Sequence, residues 1–404
     1  MSGTATRRRL RIFYIAQRVP FPPDRGDKIV SFHTVRHLAR HHEVHIFCVA
    51  DGPGDLANVA GLGEIVASVT AVPGGGWRAK LRALVALVTG RPLSVAMMDE
   101  PALHQAVGEG FGRLRPDLLF VFSSNVAQFA GPFAGTPRIM HFVDLDSAKW
   151  TGYARSTPPP MGWIYGIEGR RMLAYERAIA HEFSYSLVCT DAERADFEAL
   201  IPGAPVRTAA IGVDLEYFTS AGVVKIPGRL VFTGVMDYLP NVDAVTWFAR
   251  DILPVVRQSV PAAHFVICGT RPSSAVMALA RLPGVMVTGR VPDVRPYLDQ
   301  AEVFVGPLRI ARGIQNKVLE AMAMGLPVVT TRQVWRGTAF AEGDGGLVAD
   351  EAGEFAARVV DLLGDGAMRK AMGGVARVAV ERDYTWAAKL GVLDDVIAAV
   401  MTEG

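Results

Sequence analysis

The chain has 404 residues, which at roughly 150 residues per domain predicts two to three domains and excludes a single small binding module. Half of it is hydrophobic and 20% is charged, a balance that excludes disorder and coiled coil, while 41 glycines and 25 prolines imply many punctuated loops. The 42 basic and 40 acidic residues leave a net charge of +2, too little for a nucleic-acid binder that works by a strong basic field. The basic side is lopsided, with seven lysines against 35 arginines, a bias that reads as genome composition.

The N-terminus, MSGTATRRRLRIFYIA, sets basic residues before an apolar stretch that stops at Gln17-Arg18 without a small-residue cleavage site. That predicts a first strand over 10–16, not a signal peptide. The loop PPDRGDK follows, in which Gly26 lets backbone approach a ligand and Asp27 can cap a helix predicted over 28–40, with Lys28 beside them. The G-x-G-x-x-G fingerprint is absent there, which counts against a nicotinamide oxidoreductase. His33, His37, His41, His42 and His45 lack ligand spacing and read as solvated or structural.

A strand over 43–50 comes next. Residues 77–88, WRAKLRALVALV, place Trp77, Leu81, Leu84, Val85 and Val88 at helical spacing, with Arg78, Lys80 and Arg82 near the start. Two readings stay open, a helix packed on a sheet and a helix lying on a membrane surface. No run reaches the ~18 to 20 apolar residues that cross a bilayer. Strands over 117–122, 138–143 and 185–190 and a helix over 164–181 complete the first half. Near-continuous apolar strands between helices predict a parallel sheet covered on both faces. Cys48, Cys189 and Cys268 each sit in an apolar run, which predicts free, buried thiols and a reducing, cytoplasmic setting.

The second half repeats this grammar. Strands are predicted over 229–233, 264–268, 285–288, 302–305 and 326–330, and helices over 243–257, 274–281 and 315–324. Residues 202–228 read as a linker, which sets the domains at 1–220 and 221–384, with a last helix within 385–404 whose packing is left open. The fold class is α/β, two doubly wound Rossmann-like halves predicted to face a cleft lined by the carboxyl ends of both sheets.

The most informative stretch is GPLRIARGIQNKVLEAMAMGLPVVTT, residues 306–331. A loop carrying Arg309, Arg312 and Gly313 leads into a helix whose N-terminus exposes unpaired N–H groups, beside Asn316 and Lys317. That is a site for an anion, most plausibly a phosphate. Asn316 and Glu320, four apart, share one face of the helix, and the bland alternative for Lys317 and Glu320 is a surface ion pair.

KVLEAMAMGLPVV, followed by GDGGLVADEAGEFAARVVDLL and DYTWAAKL, resembles the donor half of the GT-B glycosyltransferases of family 4, and IGVDLEYF resembles their interdomain stretch. FPPDRGDKI, FVDLDSAKW and EGRRMLAYER look more narrowly like sugar transferases associated with exopolysaccharide and PEP-CTERM/exosortase systems. The resemblance implies a GT-B fold, a nucleoside diphosphate sugar as co-substrate and retention of anomeric configuration. It also implies that Glu320 holds the ribose hydroxyls of the donor, a role two acceptor oxygens can fill.

The chain departs from the family pattern twice. Arg312 stands where the first motif glutamate is usual, and Gly234–Asn241, GVMDYLPN, has no base where an Arg and a Lys usually bind the diphosphate. We read the departures as coupled: the charge missing after Gly234 is expected to have moved to Arg309, Arg312 and Lys317, which would neutralise the leaving diphosphate. The alternative is that Arg312 pairs with a local acid in a degenerate site.

Asp144-Leu145-Asp146 resembles the metal-binding Asp-x-Asp of the other large glycosyltransferase fold, GT-A. Because the nucleotide features lie in the second half, Asp144 and Asp146 are read instead as holding the acceptor hydroxyl or sugar, with Lys149 nearby. Metal binding and a structural hydrogen-bonding role are the alternatives. The expectation is therefore a glycosyltransferase needing no metal or other cofactor, acting in the cytoplasm or at the inner membrane face. Its partners would be a nucleotide sugar and a saccharide or lipid-linked saccharide acceptor, and no nucleic acid. A nucleotide-sugar epimerase of the same fold and a non-catalytic binding protein of a polysaccharide pathway are the rivals.

Overall fold

The structure is a computed structural model that describes residues 8–311, 314–338, 340–341 and 343–403. Two compact units emerge from the packing, one running to Ala210 and taking in the chain from Leu390 onward, the other spanning Ile211–Lys389. The division falls ahead of the expected residue 220. The last helix, Trp386–Glu403, gives its later turns to the first unit, where Asp394 comes within 3.4 Å of the buried His37.

The first unit holds a parallel sheet of seven strands, β1 (Arg11–Ala16), β2 (Glu43–Ala50), β3 (Ser68–Pro73), β4 (Leu118–Phe122), β5 (Arg138–Val143), β6 (Tyr185–Val188) and β7 (Val206–Thr208), in the order β3-β2-β1-β4-β5-β6-β7. The central strands are buried along nearly their whole length, as apolar runs covered by helices on both faces must be. Phe13, Phe47, Leu103, Val121, Phe142 and Phe197 belong to one core cluster. The second unit holds a parallel sheet of six, β8 (Arg229–Val235), β9 (His264–Thr270), β10 (Val285–Gly289), β11 (Val303–Gly306), β12 (Val328–Thr330) and β13 (Gly346–Val348), in the order β10-β9-β8-β11-β12-β13. In each sheet the winding reverses beside the first strand, between β1 and β4 and between β8 and β11. Such reversals open a crevice beyond the carboxyl ends of the strands, where doubly wound sheets bind ligands.

Three strands were not expected from the sequence: β3, β7 and β13. All are edge strands, and β7 lies inside the stretch read as linker. Short, partly exposed edges carry too few apolar residues to announce themselves. The helices used below are α1 (Gly26–Ala39), α2 (Gly76–Thr89), α3 (Leu93–Met97), α4 (Asp146–Ser156), α5 (Met161–Glu182), α6 (Asp191–Leu200), α7 (Leu239–Trp247) and α8 (Asn316–Ala323). The helix expected over 243–257 starts earlier, at Leu239 with a proline in its first turn. A π-turn over Phe248–Ile252 then separates it from Leu253–Ser259. All three cysteines are free and buried. His33, His37, His42 and His45 are buried and only His41 of that group is exposed. No helix among the described residues is long and apolar enough to cross a membrane.

Candidate functional site

The switch point of the second sheet gathers the donor-side residues. β8 runs through Gly234, and β11 leads by a loop to α8, which begins at Asn316 with no side chain capping it. Val318 N and Leu319 N donate to Gln315 O, while the amides of Asn316 and Lys317 have no acceptor among the described residues and the positive end of the helix dipole lies behind them. Lys317 does not pair with Glu320. It reaches back across the switch point, where its Nζ donates to Asn241 Oδ1 at 2.6 Å and lies 4.8 Å from the centre of the Phe232 ring. Asn241 is buried and donates in turn to Val235 O at 2.9 Å. A β-carbon on Gly234 would stand 2.8 Å from Asn241 Nδ2 and 3.5 Å from Lys317 Nζ, so glycine is what leaves room for the amide that holds the ammonium. Thr233 Oγ1, next to it, is buried without a partner.

Burial holds Lys317 down to about 8 although the Glu320 charge pulls the other way. Burial likewise pushes Glu320 up to about 7, against the pull of Lys317. Among the described residues no side chain hydrogen-bonds Glu320, so its carboxylate is available to a ligand. Of the expected cluster of cations, one member is elsewhere: Arg309 forms a two-point pair with Asp243 at 2.5 and 3.1 Å, 5.1 Å over the Trp247 ring. That acid lies on α7, sixty-six positions away in sequence, so the arginine expected to bind the donor is held by an acid in this structure. Arg312 and Gly313 lie outside the described residues.

In the first unit the polar residues collect at the carboxyl ends of β1, β4 and β5. Asp146, buried at the start of α4, accepts from Ser124 Oγ at 3.0 Å and Asn125 Nδ2 at 3.1 Å and is paired with Lys149. Burial pulls Lys149 down, but the charge and hydrogen bond of Asp146, helped by Asp144, leave it above the usual lysine range. Several buried polar atoms around this carboxylate have no protein partner: Asn125 Oδ1, Ser147 Oγ, Trp150 Nε1 and Glu176 Oε2, whereas the other carboxylate oxygen of Glu176, Oε1, accepts from Ser147 N at 3.2 Å. Buried groups of this kind are normally satisfied, and their concentration beside Asp146 makes this the candidate polar site of the first unit. Backbone strain points to the same place. Ser123 at φ 85° and Val143 at φ 71° end the adjacent strands β4 and β5, and a β-branched residue in that region persists only where its surroundings enforce it. The backbone of Val143 is held by His141, whose Nδ1 accepts from Val143 N at 3.1 Å. Burial lowers His141 to about 3, so the ring is neutral and suited to accepting.

The loop after β1 is built for structure. Lys28, expected on the acceptor side, is buried and paired with Asp55 at 2.8 Å. Asp27 does not cap α1: the capping position is Arg25, and Asp27 holds Arg18 at 2.9 Å and Arg25 at 2.7 Å. The space beside Gly26 is open.

Two residues escaped the sequence reading. Asn241, in α7, shares the position of Lys317 as described. Glu193, in the first turn of α6, lies near Asp144; burial and the Asp144 charge raise it to about 7 against hydrogen bonds from Thr190 and the backbone of Cys189 and Thr190. Its signal was legible, since Thr190-x-x-Glu193 is a capping box and Thr190 Oγ1 accepts from Glu193 N at 3.0 Å.

Residues 29–214 match the family described as Glycosyl transferase 4-like domain, and residues 227–365 match Glycosyl transferases group 1. No curated protein sequence matches the chain. Among solved structures, Anabaena Alr3699/HepE in complex with UDP is similar at 12% identity and TM-score 0.65, over 96% of this chain and 100% of that one. Sucrose-phosphate synthase from Thermosynechococcus elongatus is similar at 14% identity and TM-score 0.70, over 98% and 100%. A glycosyltransferase from Rickettsia africae follows at 10% identity and TM-score 0.64, over 98% and 100%. At such identities the likeness shows the fold. With a glycosyl transferase family matched on each unit, the 4-like domain on the first and group 1 on the second, and this fold over nearly the whole length, the chain is built of two glycosyl transferase domains in a GT-B fold.

Proposed function

We propose that the protein is a retaining glycosyltransferase that moves a sugar from a nucleoside diphosphate sugar to a saccharide or lipid-linked saccharide acceptor. The pathway we assign is exopolysaccharide or other cell-surface glycan synthesis, in the cytoplasm against the inner face of the membrane. The observation that carries the donor reading is Lys317 beside Gly234 at the switch point of the second sheet, with the N-terminus of α8 adjoining it. The HepE structures hold UDP and UDP-glucose, which supports a nucleoside diphosphate as the ligand class.

In this reading Lys317 and the first amides of α8 take the charge that develops on the departing diphosphate, and no metal or other cofactor is required. Arg312 adds a second cation from the preceding loop. Glu320 accepts the ribose hydroxyls. On the first unit Asp146, with Asn125 and Lys149 around it, positions the acceptor, and Asp144 with Glu193 takes the proton of the acceptor hydroxyl as its oxygen bonds to the anomeric carbon. Retention and the roles of Glu320 and Arg312 follow from the family resemblance.

A thermal-shift panel of nucleoside diphosphate sugars tests the reading and names the donor, because a ligand at 100 times its dissociation constant stabilises by about 2.7 kcal/mol. No shift with any member sinks it. Donor turnover is then measured with and without acceptor extract. Consumption without acceptor identifies an epimerase, and binding with no nucleotide release identifies a non-catalytic protein.

A further inference from the structure

The helix α2 is inside out. Its buried residues are small, Ala79 and Ala86, while its large apolar side chains face solvent, Trp77 at 70% exposure and Val88 at 90%, with Leu81 and Leu84 between them. An amphipathic helix folded on a sheet would show the reverse. The first turns of α5 do the same, with Trp163 at 69% exposure and Ile167 also outward.

The two apolar surfaces are fixed side by side. Arg171 on α5 donates to Ala86 O at 3.1 Å and Leu87 O at 3.0 Å, closing the end of α2. Glu168, one turn earlier, accepts from Leu93 N at 2.8 Å and Ser94 N at 3.0 Å, holding the start of α3. Ile167 lies one helical turn before Arg171, so the outward residues of α5 adjoin the C-terminal end of α2. Two exposed tryptophans and a row of aliphatic residues make a patch larger than scattered surface apolars explain.

Charge says what covers it. From Pro73 to Met98 the chain has no acidic residue and carries Arg78, Lys80, Arg82 and Arg91. Arg82 is paired with Glu100 and Arg91 with Asp99, whereas Arg78 and Lys80 are exposed beside Trp77 with no acidic partner among the described residues. A second copy meeting this face about a twofold axis would set these cations against their own images. A tryptophan belt over aliphatic residues with flanking cations instead matches the boundary of an anionic bilayer. We infer that α2 and the first turns of α5 form a docking surface for anionic lipid, into which Trp77, Leu84, Val88 and Trp163 insert while Arg78 and Lys80 meet the headgroups.

This deepens the placement at the membrane, and its test is separable from the donor reading. The full-length protein is floated with phosphatidylcholine vesicles with and without phosphatidylglycerol, and donor binding is followed separately by thermal shift. Anionic vesicles should carry the protein and neutral ones should not. Leu84→Asp and Val88→Asp, both at exposed positions, should each cut the bound fraction about tenfold, as should the pair Arg78→Glu with Lys80→Glu, with fold and donor binding unchanged. Flotation that these variants leave intact, or no flotation with anionic vesicles, overturns the surface and leaves the donor site standing. A concentration-dependent dimer in sedimentation that Val88→Asp abolishes would assign the face to a second copy and equally overturn it.

Discussion

Lys317 Nζ and Asn241 Oδ1 are 2.6 Å apart across the switch point of the second sheet. The bond turns a residue that the helix pattern would leave as a surface lysine into a fixed cation at the place where a doubly wound sheet binds its ligand. Asn241 contributes an acceptor with no charge, so it positions the ammonium without neutralising it.

Removing that cation tests its role most directly. Lys317→Met keeps the bulk and deletes the charge, and should weaken nucleoside diphosphate binding ten- to a hundredfold by calorimetry, the range for a charge-assisted contact of about 1.5 to 3 kcal/mol. Asn241→Ala should cost less, since the ammonium stays and only its position loosens. Equal affinity for Lys317→Met and the parent protein would move the diphosphate elsewhere.

The pH dependence has a definite sign on each side. A phosphate ligand prefers protonated Lys317, held at about 8, so affinity falls as pH rises through that value. Hydroxyl donors prefer ionised Glu320, raised to about 7, so affinity also falls as pH drops through 7. Binding of a nucleoside diphosphate should therefore peak between the two. In Glu320→Gln the acidic limb disappears, with about tenfold weaker binding of the nucleoside diphosphate and little change for inorganic diphosphate.

The two loop arginines should behave differently. Arg309 is half-exposed and committed to Asp243, so Arg309→Ala is expected to change donor affinity less than threefold, in keeping with an exposed pair worth about 0 to 1 kcal/mol. Arg312→Ala should lower turnover ten- to a hundredfold if the guanidinium acts in the transition state. A reversed ranking in kcat/KM would return the diphosphate role to Arg309.

On the first unit, Asp146→Asn should raise the acceptor KM while leaving donor binding as it was, because the hydrogen bonds and ion pair of Asp146 among the described residues are with Ser124, Asn125 and Lys149 of that unit. Glu193→Gln should instead lower kcat and remove a titration near 7 from its pH profile. A donor-binding defect in either variant would show that the two roles are not divided between the units as proposed.

His141 gives a stability prediction. Its folded-state value of about 3 lies below the usual 6.5, so between those limits the unfolded chain binds a proton that the folded chain does not. Stability should fall as pH drops from 6.5 toward 3, by at most about 1.4 kcal/mol per pH unit from this group. His141→Gln retains an acceptor for Val143 N and should flatten the acid limb of a urea-unfolding series.

The frame was largely readable from period and run length. The alternation of apolar strands with helices, the two halves and the helix beginning near residue 315 all follow from local pattern, and Gly234 and Lys317 were singled out as donor-side residues and are brought together. What could not be read was pairing over distance. Nothing near Arg309 discloses Asp243 on α7, and nothing near Lys28 discloses Asp55. The apolar stripe of α2 was visible, but periodicity does not say which way a stripe faces, and the structure turns it to solvent.

The glycine at position 234 limits how this site can change. The space beside it is taken by the Asn241 amide, with the Lys317 ammonium just beyond. Any side chain at this position would first displace the asparagine that fixes the ammonium, so even an alanine is expected to loosen the cation without removing it.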